Sequence, residues 1–167
     1  HLNYHRCVHI IANYAAELAA VLPATPNDIQ PVRIGLLPKL FPCFPLHQIL
    51  EFQGGYYGLS RAASSRRAQE LLHRFGIWDK RDVQFFQLSG GMKRRFLIVR
   101  AMMGDPKILI LDEPTAGVDV AQRHELWGVL RELKAAGTTI LLTTHYIDEA
   151  EALCERVGII HQGKIAE

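Results

Sequence analysis

Ile108-Leu109-Ile110-Leu111 is an unbroken aliphatic run closed by Asp112-Glu113-Pro114. A strand with one wet face alternates apolar and polar residues. A run without alternation therefore suits a strand buried on both faces, as in a parallel sheet covered by helices. Proline has no N–H to give to a ladder, so the strand is predicted to end where the two carboxylates begin. In open α/β sheets the carboxyl ends of the strands carry the ligand chemistry. Adjacent acids there can divide two tasks, one holding a hard cation such as Mg2+ and the other polarising a water. The same pair also occurs simply as exposed acids at the start of a loop, and the strand alone leaves both readings open.

The sequence after this strand repeats the pattern. Thr115 to Asp119 reads as a tight loop, and Asp119 as the N-cap of a long amphipathic helix, Val120 to Ala136. Leu126, Val129, Leu130 and Leu133 point inward there, with Trp127 flanking them, and Gly137 ends the helix. Thr138 to Thr143 is a second aliphatic strand, with His145 just beyond its carboxyl end. Asp148 to Glu155 is a short helix whose early acids suit the helix dipole. Val157 to Ile160 is a third strand, and Gln162-Gly163 turns the chain toward Lys164-Ile165 as a hairpin. Strand, helix, strand, helix, strand predicts a parallel sheet with right-handed crossovers. That topology brings Asp112, Glu113 and His145 to one edge of the sheet.

The sequence before it reads differently. Ile10 to Leu22 fits a helix ended by Pro23. Pro23, Pro26, Pro31, Pro38, Pro42 and Pro45 then forbid long regular elements, leaving room for one short strand, Val32 to Leu37. Leu46 to Tyr57 reads as a helix offering Leu46, Ile49, Leu50 and Phe52 to a core, with Gly54-Gly55 weakening its end. Ser60 caps a second helix, Arg61 to Phe75, stopped by Gly76, with Arg66 and Arg67 on its solvated face. Trp78, Phe85 and Phe86 are expected to pack this helical lobe together. Ser89-Gly90-Gly91 leads into a helix over Met92 to Met103, which Gly104-Asp105-Pro106 stops. Glycines at a helix N-terminus let exposed N–H groups approach an anion, so this triplet is a phosphate cradle in principle, although weak evidence alone.

Composition sets outer bounds. With 167 residues, 49% hydrophobic and 22% charged, the chain suffices for one domain or most of one. A net charge of +2 argues for no polyanionic partner, so no nucleic acid is expected. No apolar run approaches the roughly 20 residues that span a bilayer. Cys7, Cys43 and Cys154 are scattered without metal-ligand spacing, which suits buried thiols in a reducing compartment. The sequence opens on His1 and closes at Glu167 just past a turn, and is read as a fragment.

Taken together and in order, the motifs resemble those of the ATP-binding cassette (ABC) transporter ATPases. LSGGMKRR (Leu88 to Arg95) looks like the signature motif, ILILDEPT (Ile108 to Thr115) like the Walker B strand, AGVD (Ala116 to Asp119) like the D-loop and TTHY (Thr143 to Tyr146) like the switch-histidine loop. IGLLPK (Ile34 to Lys39) resembles the strand entering the Q-loop. The likeness runs from about Ile34 to the end, and Met92-Lys93-Arg94-Arg95 with Gly117-Val118 looks more like exporters paired with ABC-2-type membrane subunits than like importers.

The resemblance implies an α/β fold: a P-loop NTPase-like parallel sheet core with an inserted α-helical subdomain and an incomplete N-terminal part. It implies a poorly matched segment over 1–33, a Q-loop region over 34–45, a helical signature subdomain over 46–104 and the Walker B and switch-histidine part of the core over 105–167. It implies ATP and Mg2+, with Asp112 holding the metal through water, Glu113 polarising the attacking water and His145 contacting the γ-phosphate. Ser89, Gly90 and Gly91 would bind the γ-phosphate of an ATP held mainly by a second ATP-binding subunit in a head-to-tail dimer, and Asp119 would contact across that dimer. The helical subdomain would dock on a membrane permease, at the cytoplasmic face of the inner membrane.

Two departures stand out. The sequence contains no GxxxxGK[ST], the loop with which the family holds β- and γ-phosphates. Lys39 stands where the Q-loop has glutamine, bringing a positive charge and no acceptor to a place that should face the cation. The expected function is the ATP-hydrolysing subunit of an exporter, with this chain by itself binding ATP weakly or not at all. The competing readings are a degenerate or truncated, non-hydrolysing ABC protein, and a soluble ABC-class ATPase acting on ribosomes or DNA.

Overall fold

The computed structural model describes residues 44–161 and 164–166. The expected helix over Ile10 to Leu22, the strand over Val32 to Leu37 and the Q-loop position Lys39 lie outside the described residues. Residues up to Leu153 belong to one compact unit, and the two strands after it belong to another.

The helical part begins with α1 (Leu46–Tyr56) and α2 (Arg61–Arg74), which pack on each other. Leu46, Ile49 and Leu50 of α1 and Ala68, Leu71 and Leu72 of α2 are buried in one core with Phe75 and Ile77. Fully burying each such leucine or isoleucine stabilises the fold by about 1.5–3 kcal/mol. Phe52 stays 56% exposed, against the expectation that it joins the core. Gly54 does not merely weaken the helix end. It is buried, and a Cβ there would strike the Ser64 side chain of α2, so the glycine sets how closely the helices approach. Ser60 caps α2, its hydroxyl accepting from the Ala63 N–H at 3.3 Å. Two short 3-10 turns follow, Trp78–Lys80 and Phe85–Gln87. Trp78 and Phe85 pack against the core as expected, whereas Phe86 is 57% exposed.

Helix α3 (Gly90–Met102) starts two residues before Met92 because Ser89 caps it. It buries Phe96, Ile98, Val99, Ala101 and Met102. Then come β1 (Ile108–Asp112), α4 (Val120–Ala135), β2 (Thr139–Thr143) and α5 (Ile147–Leu153). Strands β1 and β2 are parallel neighbours, with Ile108 opposite Thr139 and Asp112 opposite Thr143. Ile108, Leu109 and Leu111 are buried, as the unalternating run requires. Trp127 is buried within α4 rather than flanking its apolar face.

The hairpin expected after the third strand forms. Strand β3 (Ile159–His161) pairs antiparallel with β4 (Lys164–Ala166), His161 lying opposite Lys164. Among the described residues the parallel pairing is confined to β1 and β2, so the third strand belongs to the hairpin and not to the parallel pair.

Candidate active site

Each candidate residue is placed by an element whose end the sequence marks. Parallel pairing of β1 and β2 sets their carboxyl ends side by side, and Asp112 and Thr143 end the register together. The Thr143 hydroxyl donates to Asp112 Oδ1 at 2.5 Å. The Thr143 hydroxyl oxygen also accepts from the Glu113 backbone N–H at 3.3 Å, and the Thr143 carbonyl accepts from that N–H at 3.0 Å.

Glu113 leaves the strand at φ +47°, in the left-handed region that non-glycine residues rarely adopt. Such a conformation costs on the order of 1–3 kcal/mol and persists where its surroundings over-determine it. The surroundings here are the two Thr143 contacts before the residue and, after it, the Ala116 N–H donating to the Glu113 carbonyl at 3.2 Å. The turn re-aims the carboxylate. Glu113 Oε1 lies 3.1 Å from His145 Nδ1, with both side chains about half exposed. A carboxylate beside an imidazole, open to solvent at the end of a parallel pair, can hold and orient a water and a phosphate oxygen.

His145 is held from behind. Its ring centroid lies 4.0 Å from that of Tyr146, over which the Arg123 guanidinium sits at 4.2 Å from the centroid. Arg123 also reaches Asp148 at 3.6 Å, which links the start of α4 to the start of α5. The Tyr146 N–H donates to Thr144 Oγ1 at 3.0 Å and tightens the loop between β2 and α5.

Ser89, Gly90 and Gly91 form a separate cluster beside Asp119. The Ser89 hydroxyl accepts from the Met92 N–H at 3.3 Å. Gly90 is exposed and a Cβ there would meet nothing, so its backbone stands open. Gly91 is buried, and a Cβ there would strike the Gln122 carboxamide and lie 3.6 Å from Val118. Asp119 caps α4, its Oδ1 accepting from the Gln122 N–H at 2.9 Å. The triplet thus packs on the turn that follows Glu113. Arg95 of α3 pairs with Glu125 of α4 and ties the two helices together.

Sequence reasoning missed a buried polar knot behind the site. Glu149 of α5 is fully buried. Its Oε1 accepts from Thr115 Oγ1 at 2.9 Å and from Trp127 Nε1 at 3.0 Å. Its Oε2 has no hydrogen-bond partner among the described residues. The sequence pattern marks Glu149 only as an early acid suited to the helix dipole. The available signal was its spacing: Tyr146, Glu149 and Leu153 share one helical face, and the flanking two are half-buried.

With this geometry in place, the comparisons are specific. The family model for the ABC transporter matches residues 16–116. The chain belongs to the ABC transporter family. It is 45% identical over 139 residues to the Nod factor export ATP-binding protein I of Burkholderia lata, covering 81% of this chain and 46% of that protein. The protein of the same name from Bradyrhizobium diazoefficiens is 44% identical over 140 residues, again with 81% and 46% covered. The chain therefore spans a little under half the length of these relatives. Among solved structures, an ATP-binding cassette of an ABC transporter matches with a TM-score of 0.68 at 25% identity, covering 78% of this chain and 56% of the other. An ATP-binding subunit of an ABC transporter matches with a TM-score of 0.66 at 35% identity, covering 79% and 55%. These neighbours confirm the P-loop NTPase-like α/β class. Among the described residues no helix is long and apolar enough to cross a membrane.

Proposed function

We propose that the protein is the ATP-binding and ATP-hydrolysing subunit of an ABC exporter, working with a membrane permease at the cytoplasmic face of the membrane. The observation that carries this reading is the 3.1 Å pairing of Glu113 and His145 beyond the ends of two parallel strands. Family membership supports ATP as the substrate, and the export role of the similar Nod factor export ATP-binding proteins supports the direction of transport.

In this reading Glu113 orients the attacking water and takes its proton, and His145 donates to the γ-phosphate. Asp112 offers carboxylate oxygens at the strand end, and the Thr143 hydroxyl orients one of them, a hard donor set that suits Mg2+. When bound, Mg2+ supplies charge neutralisation at the phosphates. Gly90 presents open backbone at the N-terminus of α3, which supports an anion role for Ser89, Gly90 and Gly91 toward the nucleotide of a second subunit. Asp119 would sit at that dimer contact, and Lys39 would occupy the Q-loop position. The region over 46–104 would be the helical subdomain that meets the permease, and 105–167 the Walker B and switch-histidine part. Because the sequence holds no GxxxxGK[ST], this chain by itself is expected to bind Mg·ATP weakly.

The test is Glu113→Gln in the full-length protein. Turnover should fall by about 10²–10⁴-fold, the usual worth of a positioned base, while ATP binding persists. Unchanged hydrolysis would sink the assignment.

A further inference from the structure

We propose that Glu149 is a positioning residue for the reaction, holding Glu113 at its attack geometry through Thr115. This rests on the ATPase reading above for its kinetic consequences, but its structural basis is independent of it. Glu113 and His145 belong to segments that meet only through folding, yet their side chains must stay about one hydrogen bond apart. Glu149 lies on α5, the helix that begins just after His145, and Thr115 lies two residues after Glu113. The 2.9 Å bond between them ties the two segments together behind the exposed pair. Trp127 Nε1 bonds to the same oxygen from α4, so three elements converge on one buried carboxylate.

The turn carrying Glu113 needs such an anchor. Residue 113 sits at φ +47°, and the Val118 N–H closes the same turn onto the Thr115 carbonyl at 3.1 Å. Without the anchor at Thr115, the turn is free to relax toward ordinary backbone angles, which swings the Glu113 carboxylate away from His145. A buried carboxylate with one oxygen unpartnered is expensive to keep. An apolar side chain would fill the space between Thr115 and Trp127 more cheaply, so the acceptor itself is what the position supplies.

Thr115→Val and Trp127→Phe separate positioning from general support, because each removes one donor to the same oxygen while only the first frees the Glu113 turn. In the full-length protein, amide hydrogen exchange over residues 112–118 should speed up in Thr115→Val and stay near wild type in Trp127→Phe. ATP turnover should show kcat lowered about tenfold in Thr115→Val with KM within about twofold, and kcat near wild type in Trp127→Phe. Glu149→Gln, which keeps one acceptor oxygen, should restore near-normal exchange and kcat relative to Glu149→Ala. Equal effects of Thr115→Val and Trp127→Phe on exchange and kcat, or no effect of Thr115→Val on either, overturn the proposal. A wild-type protein that does not hydrolyse ATP overturns the ATPase reading instead, and the exchange data still decide the role of Glu149.

Discussion

The hydroxyl of Thr143 touches both acids of the site at once, donating to Asp112 Oδ1 at 2.5 Å and accepting from the Glu113 N–H at 3.3 Å. Parallel register makes this possible, since Thr143 is the partner of Asp112 across the strand pair. One side chain on β2 therefore aligns the Asp112 carboxylate and the Glu113 backbone at the end of β1.

Thr143→Val keeps the shape and removes both bonds. The variant should need about tenfold more Mg2+ for half-maximal turnover, since a charged hydrogen bond of this kind contributes about 1.5–3 kcal/mol. Thr143→Ser should restore the wild-type requirement. A Mg2+ titration of ATP hydrolysis on the three proteins checks this, and an unshifted midpoint in Thr143→Val counts against it.

The left-handed backbone at Glu113 separates stability from function. Glu113→Gly relieves the strain that Glu113→Ala retains. The glycine variant should therefore be more stable than the alanine variant by about 1 kcal/mol, despite glycine's larger chain entropy. Urea denaturation of the two variants measures the difference. Both should be catalytically dead.

Gly90 and Gly91 should respond differently to an added methyl group. Gly90→Ala meets open space and replaces glycine near a helix start, so it should gain up to about 0.5 kcal/mol in stability. Its nucleotide-dependent dimerisation should nevertheless fall, because the open backbone at Gly90 is what an anion would approach. Gly91→Ala strikes only the far end of the Gln122 side chain, which can swing aside, so it should lose little stability, and Gln122→Ala in the same chain should recover that loss. Thermal melts with light scattering, with and without Mg·ATP, read both arms.

Gly54→Ala should be damaging away from any chemistry. Its Cβ would strike both the Oγ and the Cβ of Ser64 and come within 3.0 Å of Met103, and neither helix can retreat without opening the α1–α2 core. Overpacking of this kind costs about 1–3 kcal/mol. By contrast, Ser64→Ala removes a buried hydroxyl that has no partner among the described residues, and should be neutral or stabilising. Chemical denaturation distinguishes the two.

Much of the fold was legible where the signal is local. Ser60, Ser89 and Asp119 were readable as N-caps, and each accepts from the backbone N–H three residues on. The unalternating run over Ile108 to Leu111 announced a buried strand, and His145 was placed correctly because a second such strand precedes it. Misreadings came where burial depends on a neighbour from elsewhere. Phe52 lies on the apparent apolar face of its helix yet faces outward, while Trp127 turns inward because its N–H finds Glu149. The hairpin of the last two strands was legible from its turn residues, whereas the parallel pairing expected of the third strand is not among the described pairings.

The sequence by itself determined the class of protein and the order of its parts: an aliphatic strand tipped by Asp112 and Glu113, a second ending near His145, and a capped glycine pair before a helix. These are written in side-chain types at short spacing, where propensity, capping and turn chemistry act on nearest neighbours. Only the tertiary structure decided how the acids are aimed: the left-handed turn at Glu113, the Thr143 hydroxyl between both acids, and the buried carboxylate of Glu149, 34 residues from the Thr115 it holds. Each depends on a partner far along the chain, Thr143 for the first two and Thr115 for the third, where a carboxylate is also desolvated, and no local pattern encodes which partner folding will deliver.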